Sequence, residues 1–143
     1  MTEHKHTILI IKNKDNAYLQ YYDFRWNSYL FFNTKVVDSL VGNDIKEKIS
    51  QELHLSKDNI EVIFLFEKVH SKFSESAQKD KLYHHYFYQI SLKEEPDFFK
   101  KKEFMIDEMK YKWFKMSELE KDPRIQKVNS DIVGFIKEYE QKK

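Results

Sequence analysis

The chain of 143 residues has no cysteine. That removes disulfides, thiolate metal sites and cysteine nucleophiles together, and it fits a reducing compartment. Glycine is almost missing as well: Gly42 and Gly134 are the only two, too few for a glycine-rich phosphate cradle. With only two prolines beside them, loop punctuation is sparse and most of the chain is expected in regular structure. No apolar run is long enough to cross a bilayer, and the one in "MTEHKHTILII" is too short for a signal-peptide core. An excess of one charge sign is absent too. The net charge is +1, which argues against nucleic acid as the primary partner, because phosphate-driven affinity needs a concentrated basic surface. The basic cluster in "FFKKKEF" (Phe98–Phe104) is flanked by acids and reads as a solvated turn. The expectation is a soluble cytoplasmic protein with no membrane partner.

What is present is hydrophobic and aromatic: 41% apolar residues, with twelve Phe and nine Tyr. That is a globular composition, and the length fits one domain over residues 1–143. Thr7–Ile11 and Tyr18–Tyr22 flank the turn-forming "KNKDNA" and read as a hairpin, with "RWNSYLFFN" as a third extended run. "NDIKEKISQELHL" switches to helical spacing, with Ile45, Ile49 and Leu53 at i, i+4 and i+8, and Asp44 with Glu47 as a capping box. Asn59–His70 reads as a strand buried on both faces, 71–80 as a polar loop able to act as a lid, and Lys81–Leu92 as another strand. "YKWFKMSELEKD" gives a strand and a one-turn helix capped by Ser117 and Glu120. Residues 130–143 form an amphipathic helix with Ser130 as N-cap. This order predicts a mixed α+β sandwich, a β-sheet with flanking helices.

The same order resembles the Nudix hydrolase family over most of the chain. "FFNTKV" (Phe31–Val36) stands where that family has "FPGGKV", with Trp26 just upstream. "EKISQELHL" (Glu47–Leu55) stands where its box reads R-E-U-x-E-E-x-G-U, U being aliphatic. "YHHYFYQISL" and "YKWFKMSEL" are similar to its later strand and its "W..l.eL" segment. The resemblance implies a Nudix-like α+β fold and, in the active family, magnesium-dependent hydrolysis of nucleoside diphosphate-linked compounds. The departures define a degenerate box. Asn33 and Thr34 replace both glycines, the following loop is one residue short, and Leu40 or Val41 falls at an acid position. The Arg-Glu pair becomes Glu47-Lys48, Glu-Glu becomes Gln51-Glu52, and the glycine becomes His54. One family carboxylate survives, Glu52, a remnant of the catalytic set.

Helical geometry then limits the chemistry. At 100° per residue the stripe Ile45, Ile49, Leu53 spans about 80°, and Lys48, Gln51 and Glu52 share the adjoining flank, within about 100° of one another. A hard divalent cation wants several oxygens, preferably anionic, at roughly 2 Å. This flank supplies a carboxylate, an amide and an ammonium group. Glu47 lies about 140° around from Glu52, and Asp44 about 12 Å away along the axis. No metal or other cofactor is expected; magnesium would be needed only by an active hydrolase. For Lys48 and Glu52 three readings stand side by side: a solvent-flank salt bridge, an anion-binding lysine, and metal-dependent catalysis.

Elsewhere, His84 and His85 point to opposite faces of a strand and cannot share a metal, though either could join His70. Tyr21, Tyr22, Phe24, Trp26 and Tyr29 crowd one hairpin, as a thick core, a base-stacking surface or a protein interface. The expected function is a nucleotide or phosphorylated-ligand binding or regulatory module, its ligand held by Lys48, Lys35 and Arg25 with stacking on Trp26. The rival expectations are an active Nudix pyrophosphohydrolase built on Glu52, and a protein-interaction module or homodimer using the aromatic hairpin.

Overall fold

Extended runs rich in aromatic and β-branched residues, interrupted by helical-period segments, produce seven strands and three α-helices, with two single 3-10 turns, among the described residues. The computed structural model describes residues 3–35, 41–74 and 79–142. The strands are hydrogen-bonded in the order β4-β5-β1-β3-β2-β7-β6, so the expected α+β class holds. They are β1 (Glu3–Ile11), β2 (Tyr18–Asp23), β3 (Ser28–Lys35), β4 (Ile60–Ser74), β5 (Lys79–Leu92), β6 (Glu103–Ile106) and β7 (Met109–Phe114). The helices are α1 (Val41–Leu53), α2 (Met116–Lys121) and α3 (Pro123–Gln141). The chain divides into two compact units, Met1–Ile10 with Asn33–Lys93, and Ile11–Phe32 with Glu94–Lys143.

In the first unit, β4 and β5 form a long antiparallel hairpin, from Ile60↔Leu92 to Ser74↔Lys79. The register shifts between Phe64 and Phe66, leaving Leu65 as an extra residue on β4, a β-bulge. Just past it, the Phe66 and Phe87 rings stack at 4.2 Å. α1 packs on β4 through its apolar stripe: Ile45, Ile49 and Leu53 are all fully buried. The helix stops where His54 adopts the left-handed conformation, φ 54°, and the Leu55 N–H donates to the Ser50 carbonyl at 3.1 Å. That is the usual way to satisfy a last-turn carbonyl.

In the second unit, β2 pairs antiparallel with β3 on one side and β7 on the other, and β7 pairs with β6. The β6–β7 hairpin turns on Asp107 and Glu108, both at positive φ, the arrangement that matches the twist of its strands. A ladder of rings fills one face. Phe32 stacks on Tyr111 at 5.7 Å, Tyr111 on Phe104 at 5.4 Å, and Phe99 packs edge-on against Trp113 at 5.0 Å. α3 contributes buried Ile125, Ile132, Val133 and Ile136. Its backbone is non-helical at Asn129, where two helical segments join at a kink.

Several expectations need correction. β1 and β2 do not pair as a hairpin; beyond one isolated bridge, Lys12↔Tyr18, β3 lies between them in the sheet. β4 is not buried on both faces: Ile63 and Phe64, which alternate to opposite faces, and Val69 are about half exposed, and the strand ends the order of the sheet. The expected loop 71–80 is largely strand, since both arms continue pairing to Ser74↔Lys79; residues 75–78 of the expected lid lie outside the described residues. α1 starts at Val41, so Asp44 sits inside its first turn rather than at its cap. In α2 the capping carboxylate is Glu118, accepting from the Lys115 N–H at 2.9 Å. α3 begins seven residues before Ser130 with a first segment capped by Asp122, which accepts from the Arg124 and Ile125 N–H groups. The expected terminal helix is its second segment, which starts after the break at Asn129, so Asn129 rather than Ser130 stands at its head.

Candidate functional site

The flank of α1 in the first unit carries the residues singled out for chemistry. Packing of the apolar stripe fixes the helix rotation and leaves Lys48, Gln51 and Glu52 on its solvent side. The Lys48 ammonium donates to the Glu52 carboxylate at 2.6 Å, with roughly a third of each side chain exposed. Gln51 turns to the other acid, donating its amide to Glu47 Oε1 at 2.8 Å. Lys57, just beyond the helix, pairs with the second Glu47 oxygen. The hydrogen bond and charge of Lys57 hold the Glu47 carboxyl below the usual range, helped by Gln51 and outweighing a small loss of hydration.

The three acids of α1 therefore do not pool their charge. Glu52 faces one lysine, Glu47 another, and Asp44 is exposed in the first turn. Among the described residues, no three His, Asp or Glu side chains are placed to hold one metal ion. A divalent ion at Glu52 would sit beside the Lys48 ammonium; like unit charges 4 Å apart cost about 4 kcal/mol at intermediate dielectric, and a doubly charged ion about twice that. What the flank can do is present an ammonium group, held in place by one carboxylate, to an anion that exchanges with it. The side chain of Lys35, at the end of β3, and residues 36–40 lie outside the described ones, so neither that lysine nor the acid position near Leu40 enters the geometry.

Arg25 and Trp26 belong to the second unit, at the β2–β3 turn. Their surroundings are built around Asp23, a nearly fully buried carboxylate that the sequence reading passed over. Its Oδ1 accepts from the Arg25 N–H at 2.9 Å and the Trp26 N–H at 3.3 Å, and Oδ2 accepts from the Tyr21 hydroxyl at 3.1 Å. The Arg25 guanidinium also donates to Oδ2 at 3.2 Å. Burial alone would raise the Asp23 carboxyl; these hydrogen bonds, Arg25 foremost, reverse the balance and hold it below its ordinary value. Arg25 is raised in turn by its bond to Asp23. From the far side, Arg124 donates to the Trp26 carbonyl at 2.6 Å and the Asn27 carbonyl at 3.1 Å. The turn is thus rigidly held, its Phe24 and Trp26 rings project at 71% and 55% exposure, and the Arg25 charge is already engaged.

The histidines behave as the alternation of a strand requires. His84 points to one face, within 3.1 Å of Glu67 and stacked on Tyr86. His85 points to the other, buried in a stack between His70 at 5.1 Å and His6 at 6.1 Å. Asp23 was findable as a carboxylate at the start of a tight turn, where Asx-type bonds to following N–H groups are common. Lys57 and Arg124, distant in sequence from what they hold, left no local signal.

No protein-family model and no curated protein matches the sequence. Solved structures do. The C. elegans Ap4A hydrolase superposes with a TM-score of 0.58 at 10% identity, covering 99% of this chain and 98% of that one. A MutT NUDIX hydrolase from Burkholderia pseudomallei superposes at 0.50 with 13% identity, covering 90% and 100%.

Proposed function

We propose that this chain, which has the fold of the Nudix hydrolases, binds a nucleotide or another phosphorylated small molecule without metal and without hydrolysing it, as a binding or regulatory domain. The observation that carries this reading is the Lys48–Glu52 pair at 2.6 Å. The family resemblance places metal-ligating carboxylates on this flank, and here an ammonium group stands among them. A phosphate oxygen needs cationic neutralisation, which a magnesium ion ordinarily supplies; Lys48 supplies one unit of it directly. The local pair is cheap to open, because i,i+4 pairs on a helix surface contribute only about 0.3–0.5 kcal/mol. An incoming phosphate therefore displaces Glu52 at small cost and gains a charge-assisted hydrogen bond. Arg25, bound by Asp23, is a weaker candidate than the sequence implies, and its place in the ligand site rests on that expectation alone.

Isothermal titration in EDTA against a nucleotide panel tests the proposal. Ap4A belongs in the panel because a neighbour in fold is named for its hydrolysis. Binding without metal, weakened about tenfold by Lys48→Gln and unchanged or improved by Glu52→Gln, is the expected result. Magnesium-dependent turnover that Glu52→Gln abolishes would replace this reading with the active-hydrolase one.

A further inference from the structure

Where the end of α3 meets α2 and the start of β2, within the second unit, lies a cavity of about 370 Å³ lined by Lys12, Asn16, Tyr18, Met116, Lys137 and Glu140. That falls in the range of small-ligand sites, about 300–1,000 Å³, and none of these residues belongs to the α1 flank. We infer that this cavity is a second binding site, for a free α-amino acid with an apolar side chain.

Charge selects the zwitterion. Lys12 donates to Glu140 at 3.3 Å, and Lys137 donates to Glu120 at 2.8 Å, so each charge on the wall already faces its opposite. A ligand with a net charge leaves one of these groups uncompensated, and that is costly where water is partly excluded. A zwitterion brings both signs. Its carboxylate meets the Lys12 or Lys137 ammonium, its ammonium meets the Glu140 carboxylate, and the array stays neutral. The last turn of α3 adds the partial negative charge of a helix C-terminus on the Glu140 side.

The remaining wall suits an apolar body. The Tyr18 ring and Met116 supply apolar surface, and Lys12 lies 5.5 Å from the centre of the Tyr18 ring, which fixes the ammonium group over it. Burial, then the Glu140 charge, pushes the Tyr18 hydroxyl up to about 12, so at neutral pH it is protonated and able to donate. The rim is preformed. Asn16 sits at φ 60°, in a turn where Asn13 Oδ1 accepts from the Asp15 and Ala17 N–H groups, both at 3.0 Å.

Amide chemical shifts of the whole chain, titrated with phenylalanine, phenylacetate and phenethylamine, test this. The expected result is saturable shifts at Lys12, Asn16, Met116 and Glu140 with phenylalanine, and at least about tenfold weaker binding of both single-charge analogues, as loss of one charged hydrogen bond implies. Lys12→Gln and Glu140→Gln should each weaken phenylalanine similarly, and Lys48→Gln should leave it unchanged. Phenylacetate binding as tightly as phenylalanine, or no saturable shift at these residues, overturns the inference. The analogue comparison needs only the wild-type chain, so it decides the matter even if a variant fails to fold.

Discussion

Replacing Asp23 by Ala removes the acceptor around which the β2–β3 turn is organised. The carboxylate takes two backbone N–H groups, one hydroxyl and a guanidinium. The guanidinium is mostly exposed and regains water, so its share is discounted. The turn residues 24–27 are also exposed, so the freed N–H groups can hydrate and the full penalty of orphaned donors does not apply. What remains is the loss of hydrogen bonds to a buried ionised acceptor, about 1.5–3 kcal/mol. For a chain of this size that lowers Tm by roughly 5–12 °C. Because the folded carboxyl is held below its ordinary value, its stabilisation is complete above the unfolded pKa of about 3.9 and is lost as pH falls through the folded value. Urea unfolding of wild type and Asp23→Ala, at pH 7 and near pH 2, measures both effects. The gap between the two proteins should be wide at pH 7 and narrow in acid. A gap under about 0.5 kcal/mol at pH 7, within the range of ordinary surface changes, or one equally wide in acid, refutes the assignment.

Two further outcomes concern α1. Ile49 is fully buried in the stripe that seats the helix, so Ile49→Ala should cost about 2–5 kcal/mol, read from the same urea curves. His54 ends the helix in a left-handed conformation that costs a side chain with a Cβ about 1–2 kcal/mol; His54→Gly should raise stability by up to about 1 kcal/mol, visible as a higher Tm with no change in circular dichroism.

Local patterns announced local structure well. The i, i+4, i+8 spacing of Ile45, Ile49 and Leu53 put the right three residues in the core, and the four-residue interval between Lys48 and Glu52 announced their pair. The sequence could not say which strands lie side by side. Turn-forming residues after Ile11 suggest a hairpin with Tyr18–Tyr22, yet β2 takes β3 and β7 as its partners, because pairing is decided by packing over the whole sheet. The apolar run of β4 was read as interior for the same reason; being at the end of the strand order is not a local property. Residues 71–74, mostly polar, pair with 79–82 because an antiparallel ladder is held by backbone groups, which composition does not report. At the candidate sites, Lys57 and Arg124 act on groups that chain order alone does not bring near them.

The extra residue at Leu65 has a bearing on self-association. β4 is fifteen residues long and ends the strand order among the described residues, with Ile63, Phe64 and Val69 partly uncovered, and an unpaired edge with apolar side chains is the feature that lets a foreign strand dock and fibres grow. A bulge makes the strand bend and twist more strongly, so a straight intruder falls out of step within a few residues. With these side chains at the rim, the bend at Leu65 makes β4 a poorer template for a second chain than a straight strand of the same composition.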